Sequence, residues 1–320
     1  MSGTTVKAND ILLNITGASI GRTCIVPLDF KDGNVNQHVC IIRPNSKYSP
    51  KFIQSFLGSS RGQNLIQSTQ VGGGREGLNF QSIRGFIIGF PGLKEQAKIA
   101  SFLTAIDERI NQLTKKHKLL EQYKKGVMQK IFSQEIRFND DDGGEFQEWD
   151  RHVLEDIFKV TRGNVLSMTL VSQVKSESYP YSVYSSQTKN NGLAGYYNTY
   201  LFEDSITWTT DGANAGDVNY RSGKFYCTNV CGVLISTEGH ANTCIAEIIN
   251  LISRKYVSYV GNPKLMNNVM SKIAIDFPSV KEQTKIANFL SALDEKITNT
   301  KSQFEAMRQY KQGLLQQMFV

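Results

Sequence analysis

Two stretches of the chain place apolar residues at alternating steps of four and three. The first stripe runs through Ile99, Leu103, Ile106, Ile110, Leu113, His117, Leu120, Lys124, Val127 and Ile131. The second runs through Ile286, Leu290, Leu293, Ile297, Thr300, Phe304, Met307, Lys311, Leu314 and Met318. That period, kept over more than four heptads, predicts two long helices with a coiled-coil seam. Neither stripe is stable against water. The helices are therefore expected to pack on each other, antiparallel because each follows its own strand-rich body. Each is preceded by Phe-Pro, at Phe90-Pro91 and Phe277-Pro278. The residue before proline is pushed toward extended geometry, so a strand is expected to end at Phe90 and another at Phe277.

Between the helices the pattern changes from steps of four and three to steps of two. TRGNV (161–165), YPYSVYSS (179–186), NTYLFEDSITWTT (198–210) and KFYCTNVCGVLIST (224–237) alternate Tyr, Val, Thr and Ile with polar residues. They read as strands broken by Gly, Asn and Asp, and a helical stretch over 243–259 follows them. The run Asp140-Asp141-Asp142-Gly143-Gly144 reads as a solvated loop without EF-hand spacing.

Residues 90–132 and 277–319 align without a gap, about 20 of 43 positions being identical, an internal repeat rather than chance similarity. The repeat extends into the bodies. Asp10 to Gly21 parallels Asp204 to Gly216, Val39-Cys40 parallels Val230-Cys231, and 52–66 parallels 243–259. Nothing ahead of Asn9 matches 149–194, so the first body is expected to lack roughly its first 45–50 residues and the chain to be shortened at its start. The resulting fold class is α+β, with domains at 1–89 (a partial first body), 90–134 (first helix), 135–148 (linker), 149–276 (second body) and 277–320 (second helix).

Composition narrows the function. Lys and Arg number 36 against 29 Asp and Glu, a formal charge of +7, which suits a polyanionic partner. No uncharged apolar run is long enough for a membrane span, and MSGTTVKANDILLN lacks the apolar core of a signal peptide. Five cysteines without a CxxC pair read as small buried residues of a reducing, cytoplasmic setting rather than as metal ligands. Catalytic motifs are missing: there is no P-loop and no Asn-Pro-Pro-aromatic sequence, Asn262-Pro263-Lys264 being the nearest. Gly72 to Gly77 is glycine-rich without a Rossmann context, and suits close approach of backbone to a phosphate. His38, His117, His152 and His240 form no acid–base constellation. No catalytic or metal site is expected, which argues against a stand-alone nuclease or methyltransferase.

FPxxxEQxKIAxFLxxxDExI at 90–110 and 277–297, QYKxGxxQ at 122–129 and 309–316, DILLNITGASIGR at 10–22 and EWDRHVLEDIFKVTRG at 148–163 together resemble the specificity subunit of type I restriction-modification systems. The resemblance covers essentially the whole chain. It implies two target-recognition domains that each read half of a bipartite DNA site, and an antiparallel coiled coil that spaces them. It also implies a non-catalytic role, docking two adenine-N6 methyltransferase subunits and the restriction subunits. S-adenosylmethionine, ATP and magnesium would belong to those partners, none of them to this chain. The departure at the N-terminus leaves a second reading: an assembly-only or half-site reader that acts as a dimer with a second copy of itself.

Phosphates are neutralised by Arg and Lys, and base edges are read by Arg, Asn, Gln, Ser and Thr. On that chemistry the expected DNA-binding residues are Asn14, Ser19, Arg22, Arg75 and Asn79 in the first body. In the second they are Ser186, Gln187, Lys189, Asn191, Asn214, Arg221 and Lys264. The lysines of the first helix, Lys115, Lys116, Lys118, Lys124, Lys125 and Lys130, are read as a solvated face, with docking of the methyltransferase or proximity to the DNA spacer as the alternative.

Overall fold

The computed structural model describes residues 4–70, 77–186 and 189–319. In chain order the elements are β1 (Ile11–Asn14), β2 (Thr23–Ile25), β3 (Val39–Ile42), α1 (Pro50–Gly58), α2 (Ser60–Ser68), α3 (Phe80–Arg84) and α4 (Leu93–Phe132). Then come β4 (Asp150–Val153), α5 (Leu154–Ile157), β5 (Lys159–Arg162), β6 (Tyr181–Tyr184), β7 (Leu193–Tyr197), β8 (Phe202–Thr209), β9 (Val218–Cys227) and β10 (Cys231–Ile235). The last are α6 (Thr243–Ser253), α7 (Asn267–Met270), β11 (Ala274–Phe277) and α8 (Val280–Met318). The chain divides into two compact units, Met1–Leu119 with Ile297–Val320, and Leu120–Lys296.

In the first unit β1 is the centre of a three-stranded antiparallel sheet, order β2-β1-β3. Alternation along β1 turns Ile11 and Leu13 inward, both fully buried. They meet Phe52, Phe56 and Leu57 of α1 and Ile66 of α2. Proline at the first position and the Ser49 hydroxyl, which accepts from Phe52 N, start α1, while Ser59 caps α2 in the same way. Leu103, Ile106 and Ile110 of α4 close this core together with Phe319 and the last turns of α8.

The second unit carries a six-stranded sheet, order β5-β10-β8-β9-β6-β7, and a β4–β11 ribbon. All pairings are antiparallel except β6 with β9. Trp208 of β8 is almost wholly enclosed and donates its indole N–H to Leu265 O at 3.0 Å. Ile245 and Ile249 of α6, Ile131 of α4, and Ile286 and Leu290 of α8 share that core.

The fold class expected from the sequence is what is found: two β-rich regions packed on two long helices that contact each other. Every position of both seams is buried or half-buried. In the first unit His117 stacks edge-on against Phe304 and Lys311 pairs with Asp107 at 2.5 Å. In the second, Lys124 pairs with Asp294 at 2.8 Å. In the first unit α4 residues rise in number as their α8 partners fall, which is the antiparallel sense. Lys124 is therefore a seam residue held by Asp294 and Glu247, not part of the solvated lysine face, whereas Lys115, Lys116, Lys118, Lys125 and Lys130 are exposed.

Three expectations need correction. No strand forms over 86–90, although its repeat partner β11 is one. The match of Val39-Cys40 to Val230-Cys231 is out by one residue: Val39 pairs with Asn14 as Cys231 pairs with Thr209, so Val39 and Cys231 are equivalent. Cys24 is exposed while the other four cysteines are buried. Burial raises the pKa of those four, Cys231 to about 11.

The two seam ion pairs predict a pH profile. Burial tends to raise the pKa of Asp107, but hydrogen bonds from Lys311 and Lys51 outweigh it and hold the carboxyl below its usual value. Burial tends to lower the pKa of Lys124, but Asp294 and Glu247 outweigh it and hold the ammonium above its usual value. A depressed carboxylate contributes stability that is complete above its unfolded pKa of about 4 and is lost as pH falls through the folded one. A raised lysine contributes stability that is complete below its unfolded pKa of about 10.4 and is lost as pH climbs through the folded one. Urea unfolding should show a plateau from about pH 5 to about pH 9. Asp107→Asn should flatten the acid limb and Lys124→Met the alkaline one.

Candidate nucleic-acid interface

Three segments of the second unit meet at one end of its sheet: residues 185–186 and 189–192 after β6, 210–217 between β8 and β9, and 258–264 before α7. Gly212 N donates to Pro263 O (2.9 Å), Leu265 N to Thr210 O (2.9 Å) and Asn214 Nδ2 to Ser186 O (3.2 Å). Gly212 and Gly216 both adopt positive φ, +95° and +87°, which glycine does at no steric cost. At Gly216 a Cβ would also fall 2.9 Å from the Val257 side chain.

This end of the sheet is rich in cations. Asp211 lies between Arg162 (3.5 Å) and Lys264 (4.0 Å), and Arg254 pairs with Asp217 at 2.5 Å. Three partly exposed cations therefore face two acids. Ion pairs this exposed are weak, so an incoming phosphate can take the place of a carboxylate. Beside them lies a polar cleft of ≈ 290 Å³ lined by Ser185, Asn191, Thr209, Asn219, Arg221, Asn250 and Arg254 among others.

The structure brings Ser186, Asn191, Asn214 and Lys264 to this end of the sheet. Asn191 is exposed with positive φ (52°), in the turn that the backbone of Lys189 opens. Arg221 is different. It is 8% exposed, lies 3.8 Å over the Tyr184 ring and donates from Nε to Thr207 Oγ1 at 3.0 Å. Burial draws its pKa below the usual guanidinium value. It forms the floor of the cleft rather than its rim. Gln187 and Arg75 lie outside the described residues, as do Gly72 to Gly74.

In the first unit the same turn recurs bond for bond. Ile20 N donates to Gly17 O as Ala215 N does to Gly212 O, and Gly21 N to Asn14 O as Gly216 N does to Thr209 O. Arg22 N donates to Ser19 O as Asp217 N does to Asn214 O, and Leu78 N to Ile15 O as Leu265 N does to Thr210 O. Asn14, Ser19 and Arg22 thus occupy the positions of Thr209, Asn214 and Asp217: one backbone with different side chains. Arg22 is exposed. Asn79 is committed locally, its Oδ1 accepting from Ser82 N at 2.7 Å as the cap of α3.

Sequence reasoning missed Arg162, Arg254 and Asn250. Arg162 stands directly before Gly163 in a strand signal, and Arg254 lies at the end of a helix, so neither fell in a turn-rich cluster. Among the described residues no group of His, Cys, Asp or Glu could hold a metal ion, and no helix is long and apolar enough to cross a membrane.

The sequence profile described as "Type I restriction modification DNA specificity domain" matches residues 2–122 and 147–306, which is most of the chain and both units. The chain belongs to this family. The putative type I specificity subunit S.MpnORF507P of Mycoplasma pneumoniae is 37% identical over 162 residues, 50% of this chain and 43% of that protein. The chain thus spans less than half the length of that curated relative. S.MpnORF201P of the same organism is 32% identical over 217 residues, 66% of this chain and 84% of the relative. Among solved structures, the S subunit of a type I system from M. genitalium superposes with a TM-score of 0.70 at 17% identity, covering 100% of this chain and 85% of that one. At that identity the likeness is one of fold, and it is the fold of a type I specificity subunit: two β-rich regions carried on two long helices.

Proposed function

We propose that the chain is the DNA-reading, non-catalytic subunit of a cytoplasmic type I restriction-modification complex. The observation that carries this reading is the repeated glycine turn. Two units of one chain hold the same backbone loop in the same hydrogen bonds and dress it with different polar and charged side chains. Such an arrangement suits two readers of different DNA sequences, because phosphate contacts position the protein on the duplex whereas base contacts specify the sequence. Family membership supports it, as does the excess of cations around the second loop cluster. The residues proposed to touch DNA are Asn14, Ser19 and Arg22 in the first unit, and Arg162, Ser186, Asn191, Asn214, Arg254 and Lys264 in the second. Arg221 braces the cleft beneath them.

Two methyltransferase subunits dock on the helices, and each flips an adenine from the duplex to methylate it. S-adenosylmethionine, ATP and magnesium are theirs and those of the restriction subunits. The paired helices set the gap between half-sites.

Adenine-methylation mapping in a host that expresses this chain with its modification subunit tests the reading. The expected result is a bipartite motif with a fixed gap. Four residues inserted into both helices add about 6 Å and should lengthen that gap by one or two base pairs. A symmetric motif built from one repeated half-site would favour a dimer that reads through the second unit alone. No new methylation would reject DNA readout and leave the assembly-only role.

A further inference from the structure

The two seam aspartates sit in opposite electrostatic surroundings. In the second unit two carboxylates share one cation: Lys124 is held by Asp294 (2.8 Å) and by Glu247 of α6 (3.0 Å). In the first unit two cations share one carboxylate: Asp107 is held by Lys311 (2.5 Å) and by Lys51 of α1 (2.9 Å). The helix caps align α1 with α6, since Ser49 accepts from Phe52 N as Asn242 accepts from Ile245 N. Gln54 therefore stands where Glu247 stands, and Lys51 stands where Cys244 is buried. The turn ahead of β2 inverts a further charge, because Arg22 occupies the position of Asp217. Over these five equivalent positions the first unit carries three cations and one carboxylate, the second three carboxylates and one cation.

Arg22, Lys51, Lys311 and Asp107 line one cavity of ≈ 460 Å³ in the first unit, together with Gln54 and Gln63. The two amides are engaged in its wall. Gln63 Nε2 donates to Leu57 O (2.7 Å) and to Gly21 O (3.0 Å), and Gln54 Oε1 accepts from Lys51 Nζ (3.2 Å). The Gln63 bonds tie the glycine turn to α1 and so fix the point from which Arg22 leaves the backbone. The side chains of Lys51 and Lys311 are only 25% and 29% exposed. Arg22 is exposed, and among the described residues its guanidinium has no acceptor. One carboxylate thus answers three positive charges in a concave, partly desolvated site. Walls of low dielectric focus the field of such charges, so the cavity attracts an anion more strongly than the same cations spread over open surface.

We infer that this cavity binds a phosphate group through Arg22, Lys51 and Lys311. The backbone of duplex DNA is the source that the molecule favours, because Arg22 belongs to the repeated glycine turn that the first unit presents to a half-site. That source rests on the DNA reading proposed above, whereas the cavity itself rests on its geometry and charge. Lys51 and Lys311 then hold the duplex by its phosphates and contribute no sequence preference. Lys311 serves both as a seam partner of Asp107 and as a phosphate ligand. The grip is one-sided: the equivalent positions of the second unit are acidic and repel a phosphate there.

Two measurements on the full chain test this. The first is duplex binding over a range of salt. The second is acylation of Lys51 by an amine-reactive reagent, read by mass spectrometry with and without duplex or inorganic phosphate. Lys51→Gln should lower the slope of log affinity against log salt by about one unit and weaken binding about tenfold near 0.1 M salt, alike on matched and scrambled duplexes. Gln54→Glu, which copies Glu247 of the second unit, should weaken binding to a similar extent, and Lys51→Arg should keep the slope. Duplex and inorganic phosphate should each shield Lys51 in the parent. Lys311 still holds Asp107 in these variants, and the second unit folds with Cys244 and Glu247 at the two positions, so packing should survive; urea unfolding checks it. Lys31→Gln, exposed and outside the cavity, should leave the slope unchanged. An equal loss with Lys31→Gln would overturn the site in favour of diffuse attraction. Unchanged slopes with Lys51 shielded by neither ligand would overturn it outright. Unchanged slopes with shielding by inorganic phosphate would uphold the cavity and overturn DNA as the source. A parent chain that binds no duplex would reject the DNA reading, and shielding by inorganic phosphate alone would then decide the cavity.

Discussion

Glu282→Ala should destabilise the second unit by about 3 kcal/mol, whereas Glu95→Ala should cost the first no more than about 0.5 kcal/mol. The two glutamates are the same letter of the repeat, each in the first turn of its helix. Any benefit from the helix dipole, about 0.3–1 kcal/mol at an exposed site, is therefore common to both. What differs is burial. Glu95 is exposed, whereas Glu282 is 0% exposed and is the acceptor for Arg137 and for the indole of Trp149. Removing it strands a guanidinium that is itself only 19% exposed and leaves the half-buried indole N–H of Trp149 unpaired. Breaking a buried pair costs about 3–5 kcal/mol. The lower figure is appropriate because Arg137 keeps the carbonyls of Phe146 and Gln147. Urea unfolding of the two variants beside the parent measures the difference directly. Equal losses would mean that the dipole, not the contacts with Arg137 and Trp149, accounts for the glutamate.

A second large effect is expected on DNA. Replacing Arg162 and Lys264 together by alanine removes two of the three cations at the loop cluster and leaves Asp211 uncompensated. Each phosphate contact contributes a slope of about −0.9 to the dependence of log affinity on log salt. The double variant should therefore lose about two units of slope and about 100-fold in affinity near 0.1 M salt. The weakening should be about the same for every sequence. Asn214→Ala should behave in the opposite way, leaving the salt slope intact while relaxing discrimination at one base position. Binding isotherms at several salt concentrations, on matched and scrambled duplexes, separate the two. An unchanged slope in the double variant would place the phosphates elsewhere.

The helices and their seam were legible because a period of four and three over ten positions has one solution. The strands of the second body were legible for a related reason, except β4, β7 and the first half of β9. There Leu193 to Tyr197 and Val218 to Gly223 carry polar or small residues that read as loop. Alternation also failed at Arg221, since a charged letter does not announce that Tyr184 and Thr207 will receive it. The absent strand at 86–90 shows the other limit. Its sequence is as strand-like as that of β11, but a strand is made by its neighbour, and no described strand pairs with it. The one-residue slip at Val39 has a similar origin, because register is a property of hydrogen bonds between segments. At the candidate interface the turn chemistry of Gly17, Gly21, Gly212 and Gly216 located the loops. Arg162 and Arg254 reach the cluster from a strand and a helix, through contacts far apart in the chain.

The two seam ion pairs are the same pair read in opposite directions. Asp107 and Asp294 occupy one position of the repeat, and Lys124 and Lys311 another. The contact of the first copy's aspartate with the second copy's lysine is matched by the contact of the second copy's aspartate with the first copy's lysine. This is the signature of an isologous interface, here closed within one polypeptide. A chain of half the length, holding one body and one helix, would carry everything needed to form the same seam with its twin about a two-fold axis. Joining two such halves in one polypeptide adds no new kind of contact to the seam. It frees the two bodies to diverge, so that one repeated backbone turn can carry different side chains in each.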